Sequence, residues 1–184
     1  LLKQGEKITY LSTELNTLDF IKQLDSIQYG VKEFLLDQKL FFLTMVPFLG
    51  TVKFEQDFLE KIMSEKKIFD SEIIIFDTLS FLLIKKGDDD TVYYNIISFF
   101  RKLNNLNKTV IFTIDPTHLD DRFLTLLRSV ADLYINVNIS QFAGETIRAM
   151  EIKRYKRPHD LFMDKIPIRV EPKEGLIIEI GSYA

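Results

Sequence analysis

The sequence predicts one α/β domain, built on a mainly parallel sheet with antiparallel strands at its C-terminal edge. Three observations carry this. Short apolar runs alternate with segments of helical spacing as far as residue 130. The run Ile73-Ile74-Ile75-Phe76 shows no polar alternation, which suits a strand buried on both faces. From residue 146 onward the pattern changes to extended segments, with Glu174-Gly175 as a turn signal between the last two.

The elements follow in order. Leu1 to Gly5 reads as the last turn of a helix with a glycine stop. The expectation is that the chain begins inside a structural element of a longer protein. A short strand spans 8–11, with Ser12-Thr13-Glu14 as its polar exit. Asn16 or Thr17 can cap a helix whose apolar face is Leu18, Phe20, Ile21, Leu24 and Ile27. Gly30 breaks it, and 31–36 resumes a turn or two. A second strand over 40–46 closes at Pro47, and an amphipathic helix spans 53–66. The third strand is 73–76. Gly87-Asp88-Asp89-Asp90 then opens a helix carrying Val92, Ile96, Phe99, Phe100 and Leu103, its acids placed at the positive helix end. Strand 109–114, helix 119–130 and strand 133–139 continue the alternation; 146–157, 168–171 and 176–180 are the late extended segments.

Composition narrows the function. A chain of 184 residues, 46% of them hydrophobic, can bury a core of its own and is not a disordered segment. A formal net charge of −3 gives no global attraction to nucleic acid or to an anionic membrane. There is no cysteine, which excludes disulfides and thiolate metal sites and fits a reducing compartment. No apolar run reaches the roughly 20 residues of a membrane span, and no secretory pattern is present, so a cytoplasmic location is expected.

Asp77 follows the third strand directly, and Thr78 follows Asp77. An acid at the carboxyl end of a buried parallel strand lies on the rim where open α/β sheets bind ligands. In P-loop nucleotide hydrolases such an acid helps hold Mg2+, here most simply through a bound water. The plainer alternative is an Asp that starts a turn. Glu14 sits just past the first strand; if the two strands are neighbours, both carboxylates reach one rim, where Glu14 could polarise an attacking water. Its alternative is a solvated loop acid. Thr113, at the fourth strand's exit, could touch a terminal phosphate through its hydroxyl, while Asp115 before Pro116 starts a turn. His118 is a candidate base or a plain loop residue, and with His159 as the second of two histidines a His-rich metal site is excluded.

Residues 148–157 hold five cations: Arg148, Lys153, Arg154, Lys156 and Arg157. Alternation would set Arg148, Arg154 and Lys156 on one face and Lys153 and Arg157 on the other. Phosphate contact across a subunit boundary and charge protection of an edge strand are the two readings. Nucleic-acid binding is weaker, because Tyr155 is the one interleaved aromatic.

In order and spacing, the Ser-Thr-Glu exit, the Ile-Ile-Ile-Phe-Asp strand, Phe112-Thr113-Ile114-Asp115-Pro116, the basic strand and Gly175-Leu176-Ile177-Ile178-Glu179-Ile180 resemble the KaiC-like branch of the RecA superfamily. Within that branch the likeness is to the FlaH (ArlH) family of archaellum motor accessory proteins, and it covers essentially the whole chain. The resemblance implies a RecA-like three-layer sandwich with helices on both faces of the sheet. It implies ATP and Mg2+ as ligands: Asp77 as the Walker B acid, Thr78 and Thr113 beside the nucleotide, and Glu14 as the candidate catalytic acid. Arg154 and Lys156 align with a Lys-x-Arg pair used across subunits in KaiC-like hexamers, with the residue types exchanged. The implied partners are the archaellum motor ATPase and the membrane platform protein, met by a homo-oligomeric ring (a hexamer) that touches the membrane only peripherally, through those partners. Binding with little or no turnover is implied; an active ATPase working on single-stranded nucleic acid is the alternative. These 184 residues contain no Gly-x-x-x-x-Gly-Lys-Ser/Thr loop, and the family's P-loop is expected upstream of Leu1.

Overall fold

A computed structural model describes residues 1–45, 58–83, 90–142 and 145–179. Pro47, the first part of the helix expected over 53–66, the turn at 87–89 and Gly144 lie outside the described residues. A turn of 3-10 helix, Leu2–Gln4, stops at Gly5 (φ 97°) and leads into β1 (Ile8–Ser12). Then come α1 (Thr17–Ser26), α2 (Lys32–Leu36), β2 (Leu40–Thr44), α3 (Phe58–Ser64), β3 (Ile73–Asp77), α4 (Asp90–Asn105), β4 (Thr109–Phe112) and α5 (Asp121–Val130). Asn16 caps α1 by accepting from the Asp19 N–H, as its side chain suggested.

The first four strands form a parallel sheet in the order β2-β1-β3-β4. The two central strands, β1 and β3, are buried on both sides, which explains why their sequences lack alternation. On one face Leu11, Ile74 and Phe76 pack against Ile96, Ile97 and Phe100 of α4 and Phe123 and Leu127 of α5. On the other, Ile8, Ile73 and Leu40 pack with Phe20 of α1 and Val31 beside α2. This is the three-layer sandwich that the resemblance implies.

A second sheet follows, antiparallel and ordered β5-β6-β7-β8, from β5 (Leu133–Phe142), β6 (Glu145–Tyr155), β7 (Lys165–Glu171) and β8 (Gly175–Ile178). The fifth strand, expected to extend the strand–helix alternation, instead forms a long hairpin with β6. Among the described residues no ladder joins it to β4. One face of this sheet exposes Ile135, Val137, Ile139, Val170 and Ile178. The β7–β8 hairpin is tied to the end of α1: the Lys173 N–H donates to Ser26 O at 3.2 Å. Gly175 (φ 81°) is required there, since a Cβ would lie 2.8 Å from the Tyr29 hydroxyl.

Asp120 holds α5 in two ways. Its carboxylate caps the helix, accepting from the Phe123 N–H at 2.8 Å, and it accepts the Tyr93 hydroxyl, whose ring stacks on Phe123 with centroids 4.1 Å apart. The Tyr93 hydroxyl first, and the Phe123 N–H second, hold the Asp120 carboxyl below its ordinary value. A carboxyl lowered in this way stabilises the fold above its unfolded value and loses that contribution as pH falls through the folded one. Asp120→Ala is therefore expected to cost about 1 kcal/mol at neutral pH. Urea unfolding at stepped pH should show the gap between the two proteins narrowing as pH drops below the usual carboxylate range.

Candidate functional site

The rim at the carboxyl ends of β1, β3 and β4 is assembled by backbone register. Ser12 pairs with Asp77 across β1 and β3, and Phe76 with Phe112 across β3 and β4. Beyond the last ladder pairs, the Thr13 N–H donates to Asp77 O at 2.6 Å and the Thr113 N–H to Phe76 O at 3.0 Å. Thr13 is 4% exposed, and its hydroxyl fastens the two strand exits. The hydroxyl accepts from the Thr78 N–H at 2.9 Å and lies within 3.2 Å of Asp77 O and 3.3 Å of Thr78 O. The Asp77–Thr78 peptide is cis. Ser12 shapes the next turn, its Oγ accepting from the Leu15 N–H at 3.0 Å and the Glu14 N–H at 3.3 Å.

The four rim residues singled out from sequence are brought together in one hydrogen-bonded chain. The Thr78 hydroxyl donates to Glu14 Oε1 at 2.8 Å. The Thr113 hydroxyl donates to Asp77 Oδ1 at 3.1 Å and lies 3.5 Å from the Thr78 hydroxyl. Glu14 and Asp77 thus lie on the same rim, linked through two threonines. Glu14 and Thr113 are exposed, Asp77 is half-buried and Thr78 is 9% exposed, so the carboxylates meet solvent while the connecting hydroxyl is sheltered.

Tyr10 was not singled out from sequence. Its hydroxyl donates to Asp77 Oδ2 at 2.9 Å. Tyr10 pairs with Ile75, so Asp77 is its diagonal neighbour on the same sheet face. Burial first, and then the charge of Asp77, push the phenol well above its ordinary value. It is a protonated donor at any physiological pH. The available signal was its place two residues before Ser12 on the face that Asp77 shares.

His118 lies behind the rim. Its Nδ1 is 3.4 Å from Ser80 Oγ, its Nε2 is 3.8 Å from Asp115, and its ring stands edge-on to Phe81. Ser80 is fully buried and accepts the Asp115 N–H at 2.9 Å, so this group ties the turn after β3 to the exit of β4. Asp115 starts its turn as expected, accepting from the Thr117 hydroxyl and N–H, which lower its carboxyl.

Arg154 and Lys156 stand at the other end of α5 from the rim. The Arg154 guanidinium donates to Arg128 O at 3.0 Å, and Lys156 Nζ donates to Val130 O at 3.1 Å and lies 3.5 Å from Asp132. These are the last carbonyls of the helix, where cations are favoured. The expected common face for Arg148 and Arg154 is corrected by a β-bulge: Tyr134 pairs with Arg154 but Ile135 with Ile152. The extra residue, Lys153, reverses the alternation beyond it.

Among the described residues no group of three or more His, Asp or Glu side chains is placed to hold a metal ion, and no helix is long and apolar enough to cross a membrane. The oxygen-only donor set around Asp77 suits a hard cation that keeps most of its water. With one hydroxyl on each oxygen, the carboxylate retains about two of its four acceptor positions for such waters.

No family model matches the chain. It is 32% identical over 183 residues to the archaeal flagellar ATP-binding protein FlaH of Methanocaldococcus jannaschii, covering 100% of this chain and 78% of the relative. The FlaH of Methanococcus voltae is 30% identical over 183 residues, with 79% of it covered. Among solved structures, the flagellar accessory protein FlaH of M. jannaschii superposes with a TM-score of 0.87 at 30% identity, over 98% of this chain and 79% of that one. A KaiC-like protein from Pyrococcus horikoshii superposes with a TM-score of 0.72 over 96% of this chain and 78% of its own, at 17% identity, which speaks to the fold.

The two rim threonines should separate on substitution. Thr13→Val strands the buried Thr78 N–H and is expected to cost about 1–3 kcal/mol of stability. Thr113→Val removes an exposed hydroxyl and should stay within about 0.5 kcal/mol. Equilibrium unfolding in urea measures both.

Proposed function

This chain belongs to the FlaH family of archaeal flagellar ATP-binding proteins, and from that premise we propose that it is an ATP-binding regulatory component of the archaellum motor and its assembly. Its nucleotide state controls contact with the motor ATPase, with little or no turnover. The observation that carries the proposal is the convergence of Glu14, Thr78, Thr113 and Asp77 in one chain of hydrogen bonds at the ends of three adjacent parallel strands.

Each residue has a role in this reading. Asp77 would hold Mg2+ through water, and the ion, when present with ATP, would offset phosphate charge. Thr78 and Thr113 offer hydroxyls beside the terminal phosphate. Glu14 is the acid placed to orient a water. These 184 residues hold no glycine-rich phosphate loop, and the rim supplies cation and water contacts. Arg154 keeps an exposed guanidinium with donors beyond the one on Arg128 O, and it stands at the far end of α5 from the rim. A head-to-tail ring, such as a hexamer, would bring Arg154 and Lys156 of one subunit toward the nucleotide of the next. The ring would sit on the cytoplasmic side at the motor, in contact with its ATPase and membrane platform protein.

A bound nucleotide stabilises the conformation that holds it by about 2.7 kcal/mol at roughly a hundredfold excess over Kd, enough to bias a partner-binding state without hydrolysis. Calorimetry on the intact protein is expected to show Mg·ATP binding, weakened roughly tenfold or more in Asp77→Asn. Steady-state turnover should fall far below the ~1–10³ s⁻¹ of ordinary enzymes. Unchanged affinity in Asp77→Asn would remove Asp77 from the site; brisk turnover stimulated by single-stranded DNA would replace the switch with an active ATPase.

A further inference from the structure

Asp77 is held from two sides. The Thr113 hydroxyl takes Oδ1 at 3.1 Å, and the Tyr10 hydroxyl takes Oδ2 at 2.9 Å. Thr113 is exposed and follows the end of its strand, whereas Tyr10 lies inside β1. The Tyr10 ring is wedged against Phe20 of α1, with centroids 5.0 Å apart, and Phe42 of β2, at 5.8 Å. Phe20 and Phe42 also stack on each other at 4.2 Å. A phenol has two side-chain torsions, and with its ring packed between two neighbours little freedom remains for its hydroxyl except rotation of the proton.

We propose that Tyr10 is a positioning residue for Asp77: the aromatic wedge fixes the phenol, and the phenol fixes the carboxylate in the orientation that accepts cation-bound water. This rests on the reading of Asp77 given above. A carboxylate that works through water has to be aimed without being consumed. Two hydroxyl donors leave acceptor positions on both oxygens, whereas an Arg or Lys in place of Tyr10 would compete with the cation by charge. A neutral hydroxyl donor held by its ring serves this purpose. The same wedge links the rim to α1 and β2.

The test uses the intact protein, with ATP affinity measured by calorimetry in the presence of Mg2+ and again in EDTA. Tyr10→Phe keeps the ring and loses the donor. It is expected to weaken ATP binding about tenfold with Mg2+, the lower end of the ~10–100-fold usual for partners of metal-site ligands, and to leave affinity in EDTA unchanged. Equal weakening in both conditions, or none in Mg2+ while Asp77→Asn remains defective, overturns the positioning role and leaves the Asp77 reading standing. If neither variant responds to Mg2+, both fall together. An independent readout on the unaltered protein is the Tyr10 ring-carbon NMR signal, assigned by its loss in Tyr10→Phe. It should shift when Mg2+ is added to the ATP-bound protein and stay still in Asp77→Asn; a signal indifferent to Mg2+ in the unaltered protein counts against the proposal.

Discussion

The structure depends on the parallel register that sets Ser12 against Asp77. A slip of β1 by one residue against β3 would turn Leu11 out of the core it shares with Phe76 and Ile8 out of the core it shares with Ile73. Both faces of these strands are buried, so the register is specified twice over. The rim inherits that precision. Thr13 leaves the ladder directly above Asp77, and its sheltered hydroxyl fastens the two exits where ladder hydrogen bonds end. Glu14 is then one residue beyond a fixed point, and it meets Thr78 without any dedicated loop.

The polar rim is continuous with the apolar layer beneath it. Tyr10 belongs to both: its ring is part of the cluster with Phe20 and Phe42, and its hydroxyl is part of the site. Ser80 plays a similar part on the other face, fully buried yet bonded to the Asp115 N–H and lying beside His118. Rigid strands with a few hydroxyls at their ends hold the two carboxylates in place.

Much of this was legible in the sequence, because buried parallel strands announce themselves as unbroken apolar runs. Ile73 to Asp77 gave both the strand and the acid at its tip. Glu14 could be joined to Asp77 only on the assumption that β1 and β3 are neighbours, a long-range fact that local periodicity does not encode. Tyr10 was hidden for the same reason. A tyrosine in a half-apolar strand reads as core, and its diagonal relation to Asp77 exists only once the strands pair. The basic strand misled by its regularity. Alternation assigns faces correctly until a bulge inserts one residue, and nothing near Lys153 marks where that happens. The long β5–β6 hairpin was divided between two patterns because its first strand follows a helix, as a parallel strand would.

The cations of β6 have a role inside the domain that bears on any role outside it. Helix α5 starts at Asp120, with an acid on its positive end, and finishes at Val130, with Arg154 and Lys156 donating to its last carbonyls. Complementary charges at both ends stabilise a helix and also set its position against the sheet, because the caps come from different elements. Asp120 faces Tyr93 on α4, and the cations come from the second sheet. The helix is therefore a strut between the rim loop after β4 and the basic strand. Drawing Arg154 away from Arg128 O would take a donor from the carbonyl end of α5, so any outside partner of that guanidinium competes with a contact that already holds the helix.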